Sequence, residues 1–566
     1  MSERTGGQLA SDALRDEGVK TVFGLLGSAT MELLDGLYDE KGIRYIGVRD
    51  ERTGTHMADG YARVSGQPGV MIAGQNGPGV TNLVTGVAQA LRAYSPVVTI
   101  GGALSRSHQY REGFQDLDQQ GLLAAVTKRT YSASTTDMVY RLIRDAFRVA
   151  LAPRRGPVHV NLPRDVLAGS ATAPPVRLPI DRSRPAGLAA ATQSDINAAA
   201  DLLARAARPF IVVGGGVKWE GRNEEALALA QLLGCPIGAS AGHGDAIPTR
   251  HALSIGQVGP RGNPVATKAL AEADVLLLLG TRLGFNSTMF AADSISADAA
   301  VIHVDQDATV FGREFPCTVG IAADAPTVAG QLTAHLAAHV PPNNVTSRAQ
   351  QFAAAYRELW EEREQTGTDK SMPLQPGRVF AALRHVLPLN TIFTLDAGTM
   401  CLQATDVLEH AGAPSLLTPL DFGLVGFSFA AGLGAKLAAP DRPVVSLIGD
   451  GGFGMTLTEL ATAVAEDIDT TVVVLDNGVW GAEKSYQRDF FGGRYIGSDL
   501  HNPPFEKIAE LYGAAGYRVG AADEVEDVVK LALSDGRPSV VVVPMDPDAM
   551  VSFRRDSFAH RSGSAQ

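Results

Sequence analysis

Short β-branched runs alternate with longer Ala/Leu-rich stretches of helical period along almost the whole chain. The clearest runs are Val70 to Ala73, Val97 to Ile100, Phe210 to Val213, Val275 to Leu279, Val301 to Val304, Val472 to Leu475 and Val540 to Val543. Uninterrupted apolar runs of this length, bounded by turn residues, read as strands buried on both faces, and the stretches between them as the helices that cover those faces. The alternation predicts an α/β fold of doubly wound, mostly parallel sheets. Two stretches break the pattern and read as linkers. One is Pro/Ala-rich, residues 172–192; the other, residues 340–375, holds Pro341-Pro342-Asn343-Asn344 and a charged, helix-like segment around Trp360. A chain of 566 residues is too long for one hydrophobic core. The expected units are residues 1–172, 190–340 and 370–550, followed by a tail, 551–566.

Charge and cysteine content narrow the classes of function. A net charge of −12 disfavours nucleic acid and anionic membrane surfaces, which need clustered positive charge. It does not bear on small anions, which local arginines can hold. Cys235, Cys317 and Cys401 are far apart and without metal-ligand spacing, so neither a disulfide framework nor a zinc site is indicated. No apolar run approaches the roughly 20 residues of a membrane helix, and no basic start leads into an apolar signal core. A cytoplasmic protein is expected.

The richest chemistry lies in residues 445–481. Val444 to Ile448 reads as a buried strand ending in Gly449-Asp450-Gly451. A helix-patterned segment follows, from about Met455 to Ala465. A second strand, Thr470 to Leu475, stops at Asp476-Asn477-Gly478. Parallel strands joined by a helical crossover open their carboxyl ends on one sheet edge, where α/β proteins bind phosphates. The Asp450 carboxylate, the Asn477 amide oxygen and the Val479 carbonyl would then form a hard oxygen set suited to Mg²⁺ on a diphosphate, with Gly449, Gly451 and Gly452 allowing close backbone approach. Gly449 to Gly454 also satisfies G-x-G-x-x-G, with Asp476 as a ribose acid. A carboxylate inside a phosphate loop repels diphosphate unless a metal lies between them, which favours the metal reading.

This arrangement resembles the fingerprint of thiamine diphosphate (ThDP) enzymes, which begins GDG and ends near an Asn pair; here Asp476 replaces the first Asn and Asn477 is kept. Other segments fit the resemblance. Glu51, in Arg49-Asp50-Glu51-Arg52-Thr53-Gly54 after the strand-like Ile43 to Val48, matches the glutamate that favours the imino tautomer of the aminopyrimidine ring. Taken alone it would be an ordinary helix-start charge. Phe23 to Gly27 and Gly74-Gln75-Asn76-Gly77-Pro78-Gly79-Val80-Thr81-Asn82 stand in family order around it. Gly423 to Phe427 matches the segment that supports the bent cofactor, with Val425 under the thiazolium, and Gly398 matches a second cofactor-proximal turn. The resemblance implies a pyrimidine-binding domain, a Rossmann-like central domain and a pyrophosphate-binding domain, with ThDP and Mg²⁺ as cofactors. It also implies a homodimer or homotetramer with the active site at the subunit interface. Gly280-Thr281-Arg282-Leu283 marks the central domain, which carries FAD in some members. No convincing flavin-binding set is present and FAD is not expected; Gly214-Gly215-Gly216 reads as a tight turn with close packing.

Trp480-Gly481-Ala482-Glu483-Lys484, Phe114-Gln115 with Asp118-Gln119, Asn161 to Asp165 and Phe553-Arg554-Arg555-Asp556 are similar to segments of sulfoacetaldehyde acetyltransferases. That likeness implies conversion of sulfoacetaldehyde and phosphate to acetyl phosphate and sulfite, with no redox change. Small anionic substrates call for cationic or amide donors. Lys484, Arg488, Arg554 and Arg555 are the cationic candidates, Gln115 and Asn76 are expected to contact the reacting groups, and His56, His108 and His243 are considered as proton carriers. Residues 104–113, just before Phe114-Gln115, depart from the pattern of such acetyltransferases. Two alternatives stay open: an acetolactate-synthase-like or 2-oxoacid decarboxylase activity, and a catalytically silent ThDP-fold subunit.

Overall fold

The computed structural model describes residues 4–109, 111–184, 188–338, 346–419 and 421–561. Its strands form three six-stranded sheets in which every pairing is parallel. The first contains β1 (Thr21–Gly24), β2 (Arg44–Gly47), β3 (Gly69–Ile72), β4 (Val97–Ala103), β5 (Arg129–Ser132) and β6 (Val158–Pro163), in the order β2-β1-β3-β4-β6-β5. The middle sheet contains β7 (Pro209–Val213), β8 (Ile237–Ala239), β9 (Ser254–Gln257), β10 (Val275–Leu279), β11 (Ala300–Asp305) and β12 (Val319–Ala322). Its order, β9-β8-β7-β10-β11-β12, is the arrangement of dinucleotide-binding folds, with the strand order reversing between β7 and β10. The third sheet is built from β13 (Ile392–Leu395), β14 (Leu416–Leu417), β15 (Val444–Gly449), β16 (Thr471–Asp476), β17 (Ala515–Arg518) and β18 (Ser539–Pro544). Its order, β14-β13-β15-β16-β18-β17, repeats that of the first sheet strand for strand.

The first and third domains share a core. One cluster runs from Phe23, Ile46, Met57 and Leu83 through Phe429 and Ile448 to Phe453, Val474 and Phe505. At its centre the helix Glu51–Ser65 crosses the helix Ser428–Ala438 with backbone against backbone. A Cβ on Gly60 would lie 2.0 Å from the Ala431 carbonyl oxygen, and one on Gly434 would lie 1.8 Å from that of Met57. Arg63 locks the crossing: it forks onto Asp59 at 2.7 Å through two nitrogens and donates a third bond, 2.9 Å, to the Thr418 carbonyl. Buried Glu459 ties the third domain to the start of the Glu51 helix by accepting from Arg49 N (3.0 Å) and from the Thr53 hydroxyl. The middle domain joins the third where its buried Lys218–Asp245 pair, 2.8 Å apart, meets β14: Asp245 accepts from Ser415 N and Leu416 N, and Lys218 donates to the Leu416 carbonyl.

The segment after β15 departs from the expected pattern. The chain turns helical at once, Asp450–Gly454, passes through a 3₁₀ turn, Leu457–Glu459, and resumes as Leu460–Ala465. The glycines do not delay the helix, because they are there to let other groups approach: a Cβ on Gly451 would meet the Trp480 ring at 2.5 Å, and one on Gly452 would meet the Asp396 carboxylate at 2.4 Å. Trp360 lies on the helix Ser347–Thr366, as its segment suggested, whereas Pro341-Pro342-Asn343-Asn344 and part of the 172–192 linker fall outside the described residues. Among the described residues no helix is long and apolar enough to cross a membrane.

Because the helix crossing leaves no room for a methyl group, Gly434→Ala is expected to cost about 2 kcal/mol or more in stability. Thermal melting should show a lowered Tm, while Gly42→Ala, where a Cβ meets no atom within 4 Å, leaves it unchanged.

Candidate active site

The carboxyl ends of β13, β15 and β16 open into one cavity of about 600 Å³, lined among others by Asp396, Gly398, Val425, Asp450, Asn477 and Val479. Asp450 is 2 % exposed. Its Oδ2 accepts from Gly478 N at 2.9 Å and from Asn502 Nδ2 at 2.6 Å, which fixes the plane of the carboxylate. Burial, with Asp476 nearby as a like charge, pushes the Asp450 carboxyl up to about 6. Asp476 Oδ1 shares the Asn502 amide at 3.4 Å, and Asp476 Oδ2 lies 3.6 Å from Arg518. Two acidic groups at adjoining strand ends, with no cation against Asp450 among the described residues, form a site whose repulsion a divalent ion relieves. The hard oxygens of Asp450, Asn477 and Val479 suit Mg²⁺.

Asn502 escaped the sequence reading, and no motif marks it. It reaches Asp450 only because Leu500 N donates to Gly478 O at 2.8 Å and Trp480 N donates to Ser498 O at 2.7 Å, laying residues 498–502 against the metal loop. Asp396 is a second such residue. It is 1 % exposed and accepts from Ala397 N, Gly426 N and Phe427 N at 2.8 to 3.1 Å, so it holds the turn that presents Val425 to the cavity. Burial outweighs these donors and raises its carboxyl to about 7. Gly398 has φ 135°, a conformation reserved for glycine, and a Cβ on Gly398 or Gly449 would meet nothing within 4 Å, so both glycines leave open space at the cavity wall.

The first domain assembles the other group of expected residues. Glu51 opens its helix but is not a surface charge: it is 3 % exposed, and its oxygens accept from Gly74 N (3.3 Å) and Asn82 Nδ2 (3.1 Å). The glutamate and the Gly74 to Asn82 segment thus come together. Asn76 Nδ2 donates to the Gln115 carbonyl at 2.8 Å, and Gln115 sits at φ 61°. Behind them Gln119 accepts from Gly77 N at 2.8 Å and donates to Asn161 Oδ1 at 2.7 Å. Glu51, Asn76 and Gln115 do not line the cavity around Asp450 in the same chain.

Comparison with known proteins fits these three units. The N-terminal TPP binding domain of thiamine pyrophosphate enzymes matches residues 4–122, their central domain residues 196–332, and their C-terminal TPP binding domain residues 396–543. The chain belongs to the ThDP-dependent enzymes. It is similar along its length to sulfoacetaldehyde acetyltransferase of Castellaniella defragrans, with 33% identity covering 99% of this chain and 96% of that one. The sulfoacetaldehyde acetyltransferase of Alcaligenes xylosoxydans xylosoxydans is also 33% identical, over 96% and 93%. A probable acetolactate synthase large subunit of Methanocaldococcus jannaschii is 32% identical, over 96% and 92%.

Four cations, Lys484, Arg488, Arg554 and Arg555, are expected at a cavity that takes small anions. Of these, Arg554 lines the cavity. Lys484 is paired with Asp499 at 2.6 Å and Arg488 with Asp489 at 2.7 Å, while Arg555 is exposed at the start of the 3₁₀ helix Arg555–Arg561; none of the three lines it. That helix folds back over the site, with the Phe558 ring 5.2 Å from Phe490 and 5.1 Å from Tyr486. A second, smaller cavity lies where the middle sheet reverses, bordered by Lys218, Trp219, His243 and Arg282. The glycines beside it pack closely, as their spacing suggested: Gly216 N donates to Gly280 O at 2.9 Å, and a Cβ on Gly214 would meet Thr281 at 2.6 Å. His108 is exposed, and Arg106 in the same loop pairs with Asp165 at 2.8 Å.

His56 is no proton carrier to this cavity. It is 1 % exposed, its ring lies edge-on to Phe427 at 5.6 Å, and burial beside Arg52 and Arg63 holds its pKa down to about 3. A histidine neutral when folded but protonated when unfolded contributes stability that is complete above the ordinary value of 6.5. That contribution is lost as the pH falls from there toward about 3, at about 1.4 kcal/mol per pH unit. His56→Leu is therefore expected to flatten the acid side of a Tm-against-pH curve without abolishing turnover.

Proposed function

We propose that this protein is a ThDP- and Mg²⁺-dependent acetyltransferase that converts sulfoacetaldehyde and inorganic phosphate to acetyl phosphate and sulfite in the cytoplasm. The carrying observation is the end-to-end similarity to sulfoacetaldehyde acetyltransferases, supported by the arginines Arg261, Arg282 and Arg554 on the wall of the cavity that also holds Asp450. ThDP, when bound, supplies the carbanion that attacks the aldehyde carbon. Asp450, Asn477 and the Val479 carbonyl hold the metal, and Asn502 orients Asp450. Val425, on the turn pinned by Asp396, supports the cofactor's bend. Glu51 holds and returns the proton at the aminopyrimidine ring. Since Glu51 does not share the Asp450 cavity within one chain, a second copy supplies it, which makes a homodimer the smallest active unit. Asn76 and Gln115 then face the reacting groups from that copy, and the Phe553 and Phe558 side chains keep water from the site.

The equally similar acetolactate synthases favour one second reading, a reaction that begins with loss of CO₂ from a 2-oxoacid. The purified protein with ThDP, Mg²⁺ and phosphate is expected to form acetyl phosphate and stoichiometric sulfite from sulfoacetaldehyde, and Glu51→Gln is expected to abolish this while still binding ThDP. CO₂ release from pyruvate alone would move the enzyme to the 2-oxoacid branch.

Asn502→Ala removes a donor to a metal-binding carboxylate, and is expected to weaken Mg²⁺-dependent ThDP binding about tenfold or more, as read by calorimetry. Unchanged affinity would show that Asp450 does not depend on it.

A further inference from the structure

The least compensated cation around the large cavity comes from the middle domain and stands outside all the motifs that mark the cofactor site. Arg261 lies in the turn after β9 and lines the cavity with Asp450 and Val425. Its Nε is buried with no hydrogen-bond partner, and among the described residues it forms no ion pair. The acids in its surroundings are engaged elsewhere: Asp421 with Arg282 at 3.4 Å, and Asp556 with Arg554 at 3.2 Å. Its guanidinium rests 5.8 Å over the Phe553 ring. Arg92 and Arg313 also border the cavity without an ion pair, but both are exposed and water solvates them.

The turn is built to hold Arg261 still. Gly259 has φ +92°, and a Cβ there would lie 1.8 Å from the Ser287 carbonyl oxygen; Gly262 N donates to Gly259 O at 2.9 Å. Asn263 N donates to Gln257 O at 2.9 Å, and Gln257 N donates to Asp406 on the helix Thr399–Val407, which starts at the cavity wall. A fixed, half-buried guanidinium without a counter-ion is unfavourable unless an anion completes it. Its planar fork matches two oxygens of a tetrahedral oxyanion.

We infer that Arg261 is a substrate-recognition residue that binds the tetrahedral oxyanion of the reaction, the sulfonate of the aldehyde or inorganic phosphate. The identity of those anions rests on the acetyltransferase reading; the existence of the anion site does not.

The test is titration of ThDP- and Mg²⁺-loaded enzyme with inorganic phosphate and, separately, with the unreactive sulfonate isethionate. Arg261→Gln is expected to weaken one of the two by about tenfold or more. Arg261→Lys, which keeps the charge and loses the fork, should fall between it and the parent, with ThDP affinity unchanged in both. In turnover, KM for the same anion should rise more than kcat falls. Weakened phosphate binding assigns Arg261 to the nucleophile, and weakened isethionate binding assigns it to the sulfonate. The inference is overturned if the parent enzyme binds neither anion, if both variants bind both anions normally, or if ThDP affinity falls in parallel. Absence of acetyl phosphate from the parent enzyme would refute the acetyltransferase reading and leave the titration as a valid test of Arg261.

Discussion

The contact on which the molecule depends is the crossing of the helices Glu51–Ser65 and Ser428–Ala438, where Gly60 and Gly434 let two backbones touch. Each helix carries residues proposed to serve the cofactor at its amino end, Glu51 on one and the Val425 to Phe427 turn on the other. A crossing set by backbone contact leaves no play in their relative position. Arg63 reinforces it at the point where both domains meet, bonded to Asp59 and to the Thr418 carbonyl and stacked on Phe427. The shared core then makes two like-wound sheets into one rigid body that presents Glu51 and Asp450 in separate places. That separation is why assembly of two copies follows from the function proposed.

The metal loop shows a different economy. Asp450 and Asp476 stand at neighbouring strand ends, and Asn502 is shared between them. Burial, with Asp476 beside it as a like charge, works against ionisation of Asp450 and is the origin of its raised carboxyl. Binding a divalent ion reverses that balance, because the ion is then the largest local charge. The same unfavourable electrostatics that would make the site a poor structural element suit the role proposed for it, that of a receptor for a metal-bound diphosphate.

The strands and the cofactor loops were legible because both are local. Buried parallel strands read as uninterrupted apolar runs, so β10, β16 and β18 stand out in the sequence, and Gly449-Asp450-Gly451 and Asn477 act through their own backbone turns. Glu51 was matched to the family's glutamate through its flanking segments, since by position alone it would be an ordinary helix-start charge; its burial was not legible, because the Gly74 and Asn82 donors come from a segment that only the fold brings near. Asn502, Asp396 and Arg261 were not legible for the same reason: their partners lie across loops or domains, and nothing in the neighbouring residues announces them. The cations chosen by proximity to the metal loop show the converse. Lys484 and Arg488 are close in sequence to the site, yet their charges are spent on Asp499 and Asp489.

This division explains how one scaffold can resemble two different activities to the same degree. The residues proposed to hold the cofactor are placed by sheet edges and by the helix crossing, and at the crossing a Cβ on Gly60 or Gly434 collides with a backbone. The wall of the cavity away from those edges is built in part by three pieces: the turn after β9, the helix Gly481–Phe490 and the tail that folds over it through Phe558. None of these belongs to the shared core, so a guanidinium can be added or withdrawn there without disturbing Glu51 or Asp450. Under the function proposed, the middle domain, whose Arg261 reaches the cavity wall from outside that core, is thereby the part of the chain best placed to decide which anion is accepted.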